Sequence, residues 1–383
     1  MELYIHIPFC ARKCRYCSFV SFAGQESFFE EYTELVIKEA KKRLSEIEEP
    51  IRTVYIGGGT PSLLPVHVFR KLLKGLSGIY SMDKVTEFTC EANPGTLTRD
   101  WLDCAAENGV NRLSIGMQAF QHKFLKILGR IHDYDAVSDS VRLARRAGIS
   151  NINLDLIFGI PGQSRAEWAE TIDKAVSLRP SHISAYGLIP EEGTPLNEDI
   201  KRGKLTLPDP DTERDMYDDA IKRLSQYGML QYEISNFALP GKECVHNTGY
   251  WSQVPYIGLG ISAASMVHVK ISAAGMTYER KTNPDSYLSY KTMILDNALS
   301  PVSEKINPSD SRFETMMLGL RMNKGVSEKR FFGLHGKSVS ECYGSKLGRM
   351  MDEGLVMYEN GCWKLTRRGF DIQNAILVEL MED

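Results

Sequence analysis

Leu3–Phe19 reads LYIHIPFCARKCRYCSF and Thr53–Leu64 reads TVYIGGGTPSLL. In each, a short β-type run, Leu3–Ile7 or Thr53–Ile56, ends in a loop of unusual composition. The first loop carries three cysteines, the second three glycines and a proline. The unit recurs: Val85–Cys90 leads into EANPG, Arg112–Ile115 into GMQAF, Asn151–Phe158 into GIPGQ and His182–Gly187 into LIPEEGTP. Helical periods fall between the runs at Phe28–Ile47, Pro65–Leu76, Arg99–Asn108, Asp135–Ala147 and Arg165–Leu178, with Asp211–Tyr227 after the last. Gly109, Gly148 and Gly228 stand where helix stops belong. Six successive β/α units require a parallel sheet. An open doubly wound sheet gathers its site at one switch point. A barrel opens every strand end onto one face, and six special loops select a partial, TIM-like (β/α)6 barrel over about residues 1–230. Glycine and proline as plain strand terminators account for two or three such loops more easily than for all six.

Residues 231–300 read as a connecting extension, with a strand around Gln231–Ser235, a glycine-rich stretch at Gly258–Ala264 and weak signals over 266–300. The texture changes near Pro301. Helical periods at Asp310–Leu320, Glu328–Phe332 and Val339–Glu353 precede a hairpin over Leu355–Thr366, turned at Asn360-Gly361. A helix over Arg368–Leu380 follows, so residues 301–383 read as a small winged-helix-like domain.

The chain has 383 residues, 43% hydrophobic and 25% charged, an ordinary globular composition that excludes disorder and a disulfide miniprotein. Its net charge of −3 and pI near 6.3 give no basic excess for nucleic acid or anionic lipid. With no apparent signal peptide and no membrane-length apolar run, a cytoplasmic protein is expected. In that reducing setting cysteines point to metal binding or catalysis rather than disulfides.

Cys10, Cys14 and Cys17 place three soft ligands within eight residues, a set suited to an iron–sulfur cluster, zinc or copper. The next position at like spacing is Phe19, so the site either takes a distant ligand or keeps one position open. A zinc knuckle is the plain alternative. Cys90, Cys104, Cys244, Cys342 and Cys362 share no ligand spacing; Cys90 and Cys104 read as small core residues, and Cys244 stands two residues before His246.

CxxxCxxC after an N-terminal strand, followed by GGTP after the second, resembles the radical S-adenosylmethionine (SAM) superfamily. The resemblance implies a [4Fe-4S] cluster held by Cys10, Cys14 and Cys17, with SAM on the fourth iron and reductive cleavage to a deoxyadenosyl radical. EANPGTLT, NRLSIGMQAF, LGRIHDY, NLDLIFGIPGQ, HISAYGLIPEEGTPL, YEISNFA and HNTGYW follow in order. They resemble the family that holds the oxygen-independent coproporphyrinogen III dehydrogenase HemN and the heme chaperone HemW, and the resemblance runs from Tyr4 to the last helix. Phe19, the start at the first strand and His246–Trp251 agree with the chaperone branch, because the dehydrogenase has a further cysteine at the position of Phe19. The resemblance therefore implies heme as cargo, acceptor hemoproteins such as respiratory ones, an electron donor (flavodoxin, ferredoxin or a reductase), peripheral contact with membrane proteins and a homodimer. The alternative is oxidative decarboxylation of coproporphyrinogen III.

The same resemblance assigns SAM contacts to Tyr4, Tyr16, Gly58, Gly59, Thr60, Glu91, Gln118, Arg130 and Asp155. Tyr4 reads equally as a core aromatic, and Gly58–Thr60 as a tight turn. Glu91, expected in an otherwise apolar barrel, calls for a cationic or hydroxyl partner. An Arg130–Asp155 ion pair is the structural alternative for those two residues. His246 is a candidate heme ligand, against the commoner role of a buried structural histidine. DNA binding by the winged helix is the remaining alternative. Residues 305–383 hold 12 Lys and Arg against 11 Asp and Glu, a net of +1, and Arg367-Arg368 is a small patch for that task.

Overall fold

Alternation in the first strand sets the architecture. The computed structural model describes residues 1–45, 47–296 and 300–381. In strand β1 (Glu2–Ile7), Leu3, Ile5 and Ile7 are wholly buried in the main apolar core while Glu2, Tyr4 and His6 alternate with them. Strands β2 (Thr53–Gly58), β3 (Glu87–Ala92), β4 (Arg112–Gln118), β5 (Asn151–Phe158) and β6 (His182–Gly187) continue the sheet in parallel from β1. The helices follow in turn: α1 (Phe29–Leu44), α2 (Val66–Ser77), α3 (Arg99–Glu107), α4 (His122–Leu128), α5 (Tyr134–Arg146), α6 (Arg165–Ser177), α7 (Pro195–Lys201) and α8 (Pro210–Gln226). Position 46 of the first expected helix lies outside the described residues. Side-chain oxygens of Thr98, Asp133 and Ser164 cap α3, α5 and α6, the last in a capping box with Glu167. Phe69 on α2 stacks on Trp101 of α3 at 4.3 Å. Each such burial contributes ~1.5–3 kcal/mol.

The six expected β/α units are present, and the sheet runs further than the sequence suggests. Strands β7 (Leu230–Gln231), β8 (Asn236–Ala238), β9 (Tyr256–Leu259), β10 (Ala264–Ser272), β11 (Gly275–Thr282) and β12 (Val302–Ile306) bring it to twelve, in the order β12-β11-β10-β9-β1-β2-β3-β4-β5-β6-β8-β7. The expected strand at Gln231–Ser235 is replaced by β8, which pairs antiparallel with β6, because Tyr232–Ser235 turn back between β7 and β8. The glycine-rich stretch supplies β9, which lies parallel to β1. Residues 264–282, weak in the sequence, form the β10–β11 hairpin, and α10 (Tyr287–Leu295) packs on α1.

The inward face corrects another expectation, because it is polar. Asn153 donates to Ser114 (2.7 Å), Asp155 (2.8 Å) and Ser184 (3.0 Å), and His182 bridges Asn153 (2.6 Å) and Tyr232 (2.8 Å). Glu91 is therefore one member of a hydrogen-bonded interior, not a lone charge.

Helices α11 (Pro308–Gly319), α12 (Glu328–His335) and α13 (Val339–Asp352) precede the hairpin Val356–Glu359/Cys362–Leu365, and α14 (Arg367–Asp371) and α15 (Gln373–Leu380) end the fold. Val326–Ser327 adds a third strand beside the hairpin. Asn360 and Gly361 have φ of 52° and 76°, as a two-residue type I′ turn requires. This module packs on the barrel. Arg280 pairs with Glu314 at 2.7 Å, and Asn323 N donates to Tyr232 O at 3.0 Å. Arg367 pairs with Asp218 of α8, so half of the basic dipeptide serves domain docking.

Candidate functional site

The cysteine loop follows β1 directly. Phe9–Cys10 pairs in parallel with Phe22–Ala23, and His6 Nε2 bonds to Val20 O at 2.8 Å, so both ends of the loop are held. Arg15 N donates to Leu128 O (3.0 Å) and Leu196 N to Arg15 O (2.9 Å), which seats the loop on α4 and α7. Cys10, Cys14 and Cys17 face a cavity of about 420 Å³ at the C-terminal ends of the strands. All three are free thiols. Burial raises the pKa of Cys14 and Cys17, Arg130 pulls both back, and the cysteines raise those two further through their mutual charge. Among the described residues no group of three or more His, Cys, Asp and Glu gathers as a ligand set for one ion. Three thiols facing one cavity without a fourth ligand suit a cluster whose irons each take a separate cysteine better than a closed zinc site.

The neighbouring loops complete the wall. Gly59 N donates to Ile7 O (2.8 Å) and Thr60 N to Phe9 O (2.7 Å), drawing the glycine loop onto the end of β1. A Cβ on Gly59 would stand 2.6 Å from Phe9 O, and one on Gly58, at φ 111°, 2.5 Å from the His6 ring. Glu91 accepts from Gly58 N (3.0 Å) and from Tyr55 OH (2.9 Å). Burial, with the charge of Asp155 second, raises its pKa to about 7. Arg130 donates to Asn93 Oδ1 (2.7 Å) and Tyr16 OH (2.6 Å), and Asn93 donates to Thr60 Oγ1 (2.7 Å). The Thr60 hydroxyl in turn lies 3.7 Å from Cys10 Sγ, so one polar chain links Arg130 to the cluster loop. Asp155 bonds Ser114 (2.9 Å) and Asn153 rather than Arg130. Gln118 adopts φ 65° at an irregularity in β4, a strained strand end of the kind that re-aims side chains.

Of the residues expected here, the three cysteines, Tyr16, Gly58, Gly59, Glu91, Gln118, Arg130 and Asp155 line one cavity. Thr60 stands behind Cys10 and lines a neighbouring crevice. Tyr4 bonds His6 Nδ1 at 3.0 Å and faces a separate cavity beneath α11. Asn93, Ser114 and Tyr186 are lining residues that the sequence reading did not single out. The order EANPG after a strand was the available signal for Asn93.

His246 is not with them. It sits on α9 (Val245–Trp251), 1% exposed, with Nδ1 bonded to Thr53 Oγ1 (2.8 Å) and Nε2 to Tyr250 OH (2.9 Å). Burial lowers its pKa to about 3. Both ring nitrogens are engaged within the protein, the arrangement of a buried structural histidine. Cys244 is likewise buried, 3.3 Å from Glu87, and offers no open sulfur to a heme.

Residues 4–175 match the family model described as the Radical SAM superfamily, and 306–372 match the HemN C-terminal domain. The chain is 33% identical to the heme chaperone HemW of Lactococcus lactis subsp. lactis (strain IL1403), over 99% of this chain and 97% of that one. To the HemW of Bacillus subtilis (strain 168) it is 34% identical, over 97% of each chain. The chain belongs to the HemW family of radical SAM proteins. To the HemW of Escherichia coli (strain K12) it is 31% identical, over 98% of this chain and 97% of that one. HemW-family membership within the radical SAM superfamily implies a [4Fe-4S] cluster and SAM, and the cavity lined by Cys10, Cys14 and Cys17 is where they fit. The fold of this HemW-family chain is that of the E. coli coproporphyrinogen III oxidase HemN, with a TM-score of 0.83 at 21% identity, covering 99% of this chain and 89% of that one.

Proposed function

We propose that this protein is a heme chaperone that binds heme and passes it to acceptor hemoproteins. The supporting observation is its similarity, through barrel and C-terminal module alike, to relatives named heme chaperone HemW. Phe19 agrees, since it is a phenylalanine where the dehydrogenase of the family carries a further cysteine. The cluster and SAM, when bound, supply one-electron reductive chemistry. The chain's own residues bind and orient. Arg130 and Asp155 give the cavity one cation and one anion, a complement to the zwitterionic end of SAM. Gly58 and Gly59 admit a ligand close to the backbone. Tyr16 holds Arg130 by its hydroxyl and by a cation–π contact at 5.7 Å. Thr60 acts as a positioning residue through Cys10, and Tyr4 through His6.

Acceptor hemoproteins, an electron donor of the flavodoxin or ferredoxin kind, a dimer and a cytoplasmic setting belong to the same reading. No helix among the described residues is long and apolar enough to cross a membrane. The test pairs two assays on cluster-reconstituted protein. Heme titration followed by transfer to an apo-hemoprotein should succeed. Anaerobic incubation with SAM, reductant and coproporphyrinogen III should give no decarboxylated product, and catalytic turnover there would replace this reading with that of the dehydrogenase.

A further inference from the structure

Asp155 lines the cluster cavity, whereas Asn153, His182 and Tyr232, aligned behind it, do not. The strand registers set this row. Ser114, Asn153 and His182 stand directly opposite one another on β4, β5 and β6, and Asp155 follows Asn153 two residues on, on the same inward face. The outward face of β5 and β6 is apolar, with Ile152, Leu154, Ile183 and Ala185 buried. Packing alone would be met inside by the same residue types, so a buried Asn–His–Tyr row calls for another reason.

The direction of each hydrogen bond in the row follows from its neighbours. Asn153 presents its amide nitrogen to Asp155 Oδ1 at 2.8 Å, since the opposite orientation would set oxygen against carboxylate. Its amide oxygen then faces His182 Nδ1 at 2.6 Å, and that oxygen only accepts, so the imidazole proton sits on Nδ1. Burial, with the charge of Arg112 second, pushes the His182 pKa down, so the ring carries one proton and Nε2 keeps its lone pair. Tyr232 OH donates to that nitrogen at 2.8 Å and itself accepts from Cys244 N at 3.3 Å. Every group in the row donates toward Asp155.

The far end of the row is held by the C-terminal module. Asn323 N donates to Tyr232 O at 3.0 Å and Asn323 Nδ2 to Gln231 O at 2.6 Å, while Glu233 and Met322 form an antiparallel bridge. Among the described residues, none of that module lines the cluster cavity.

We propose that His182 is a positioning residue for Asp155: its Nδ1–H fixes the Asn153 amide, which orients the Asp155 carboxylate at the cavity wall, and Tyr232 ties the ring to the C-terminal module. The proposal rests on the reading of that cavity as the SAM site and gives a role there to residues outside it.

Two measurements test it. In protein labelled with 15N-histidine, the His182 ring, identified by its absence from H182N, should show a protonated Nδ1 and a bare Nε2 at neutral pH. A proton on Nε2 instead would overturn the proposal. Isothermal titration of cluster-loaded protein with SAM then compares H182L with H182N, whose amide nitrogen takes the place of Nδ1. H182L should lose roughly tenfold in SAM affinity, H182N should recover most of that loss, and iron content should be the same in both. Wild-type affinity in H182L, or equal losses in the two variants, would overturn the donor role. Where H182L does not fold, Y232F, which deletes a single oxygen, replaces it: SAM binding should weaken and the His182 nitrogen shifts should move, and wild-type values for both would overturn the proposal. If wild type binds no SAM, the SAM reading of the cavity falls and the positioning role with it, whichever nitrogen carries the proton.

Discussion

The two ends of the barrel are both polar, and they are polar for opposite reasons. At the C-terminal end, Tyr16, Arg130, Glu91 and Asp155 surround an open cavity that the three cysteine thiols also face, with Thr60 beside Cys10. At the N-terminal end, helix α9 plugs the opening. Glu87 accepts from Cys244 Sγ (3.3 Å), Val245 N (2.9 Å) and His246 N (3.1 Å), tying down the first turn of α9, and His246 stacks on Tyr55 at 5.2 Å. Both sets of polar residues are hydrogen-bonded; at the seal they fill the opening, whereas at the site they are paired within the wall and leave a cavity in front of the thiols. A motif such as His246–Trp251 is therefore not a ligand set merely because it holds a histidine.

That contrast breaks most sharply at the cysteines. The triple variant C10A/C14A/C17A should lose all cluster iron, measured as iron content and visible absorbance after anaerobic reconstitution, while its far-ultraviolet dichroism stays unchanged. Iron kept at wild-type stoichiometry would place the cluster elsewhere.

The sealed end should respond in stability instead. A Cβ on Gly249 would stand 1.8 Å from Glu2 Oε1, and Glu2 is 3% exposed with little room to retreat. G249A should lower stability by about 2 kcal/mol in denaturant titration and leave iron loading alone. An unchanged midpoint would mean the plug is loose.

Acid probes the same seal. Burial, assisted by the nearby charge of Arg112, lowers the His246 pKa from 6.5 to about 3, so the fold favours the neutral ring. The stability this contributes is complete above pH 6.5 and lost as pH falls toward 3, by about 1.4 kcal/mol per pH unit. Glu2, 4.0 Å away, is held neutral too, with its pKa raised to about 8 by burial, so the two form no ion pair at neutral pH. Glu2 works in the other direction: its neutral form adds stability fully present below pH 4.5, which fades as pH rises toward 8. Comparing the pH dependence of melting for wild type and H246N between pH 6.5 and 4 isolates the histidine. Parallel curves would refute a neutral buried ring.

The smallest effect is expected at Asn93, which holds both Thr60 and Arg130 at the open end. N93A should cost about 1 kcal/mol of stability and weaken SAM binding roughly tenfold, read by isothermal titration of the cluster-loaded protein. Loss of stability with SAM affinity intact would make Asn93 a purely structural residue.

Legibility in the sequence divides along the same line. The six β/α units were readable because each strand ends in a marked loop, and the cysteines because their spacing is chemistry in itself. The outer arm was not. Tyr256–Leu259 is only four residues long with glycine inside it, and the β10–β11 hairpin turns at Ala273-Ala274 without the Asn-Gly signal that marked the C-terminal hairpin. The bulge at His268 also breaks the period of two on which strand reading depends. At the site, Asn93 looked like any turn residue, since its role lies in partners distant in sequence. The hydrogen bonding of His246 had a local signal: Tyr250 follows four residues later, the spacing at which helical side chains meet.

The position of β1 governs when the protein can become functional during its synthesis. The strand that precedes the cysteine loop leaves the ribosome before both of its neighbours, β2 and β9, and β9 is encoded at Tyr256–Leu259. One edge of β1 therefore stays bare until most of the barrel has been translated. The loop therefore emerges long before the barrel that walls its cavity is complete, and a cluster held there would be shielded only once that barrel has closed.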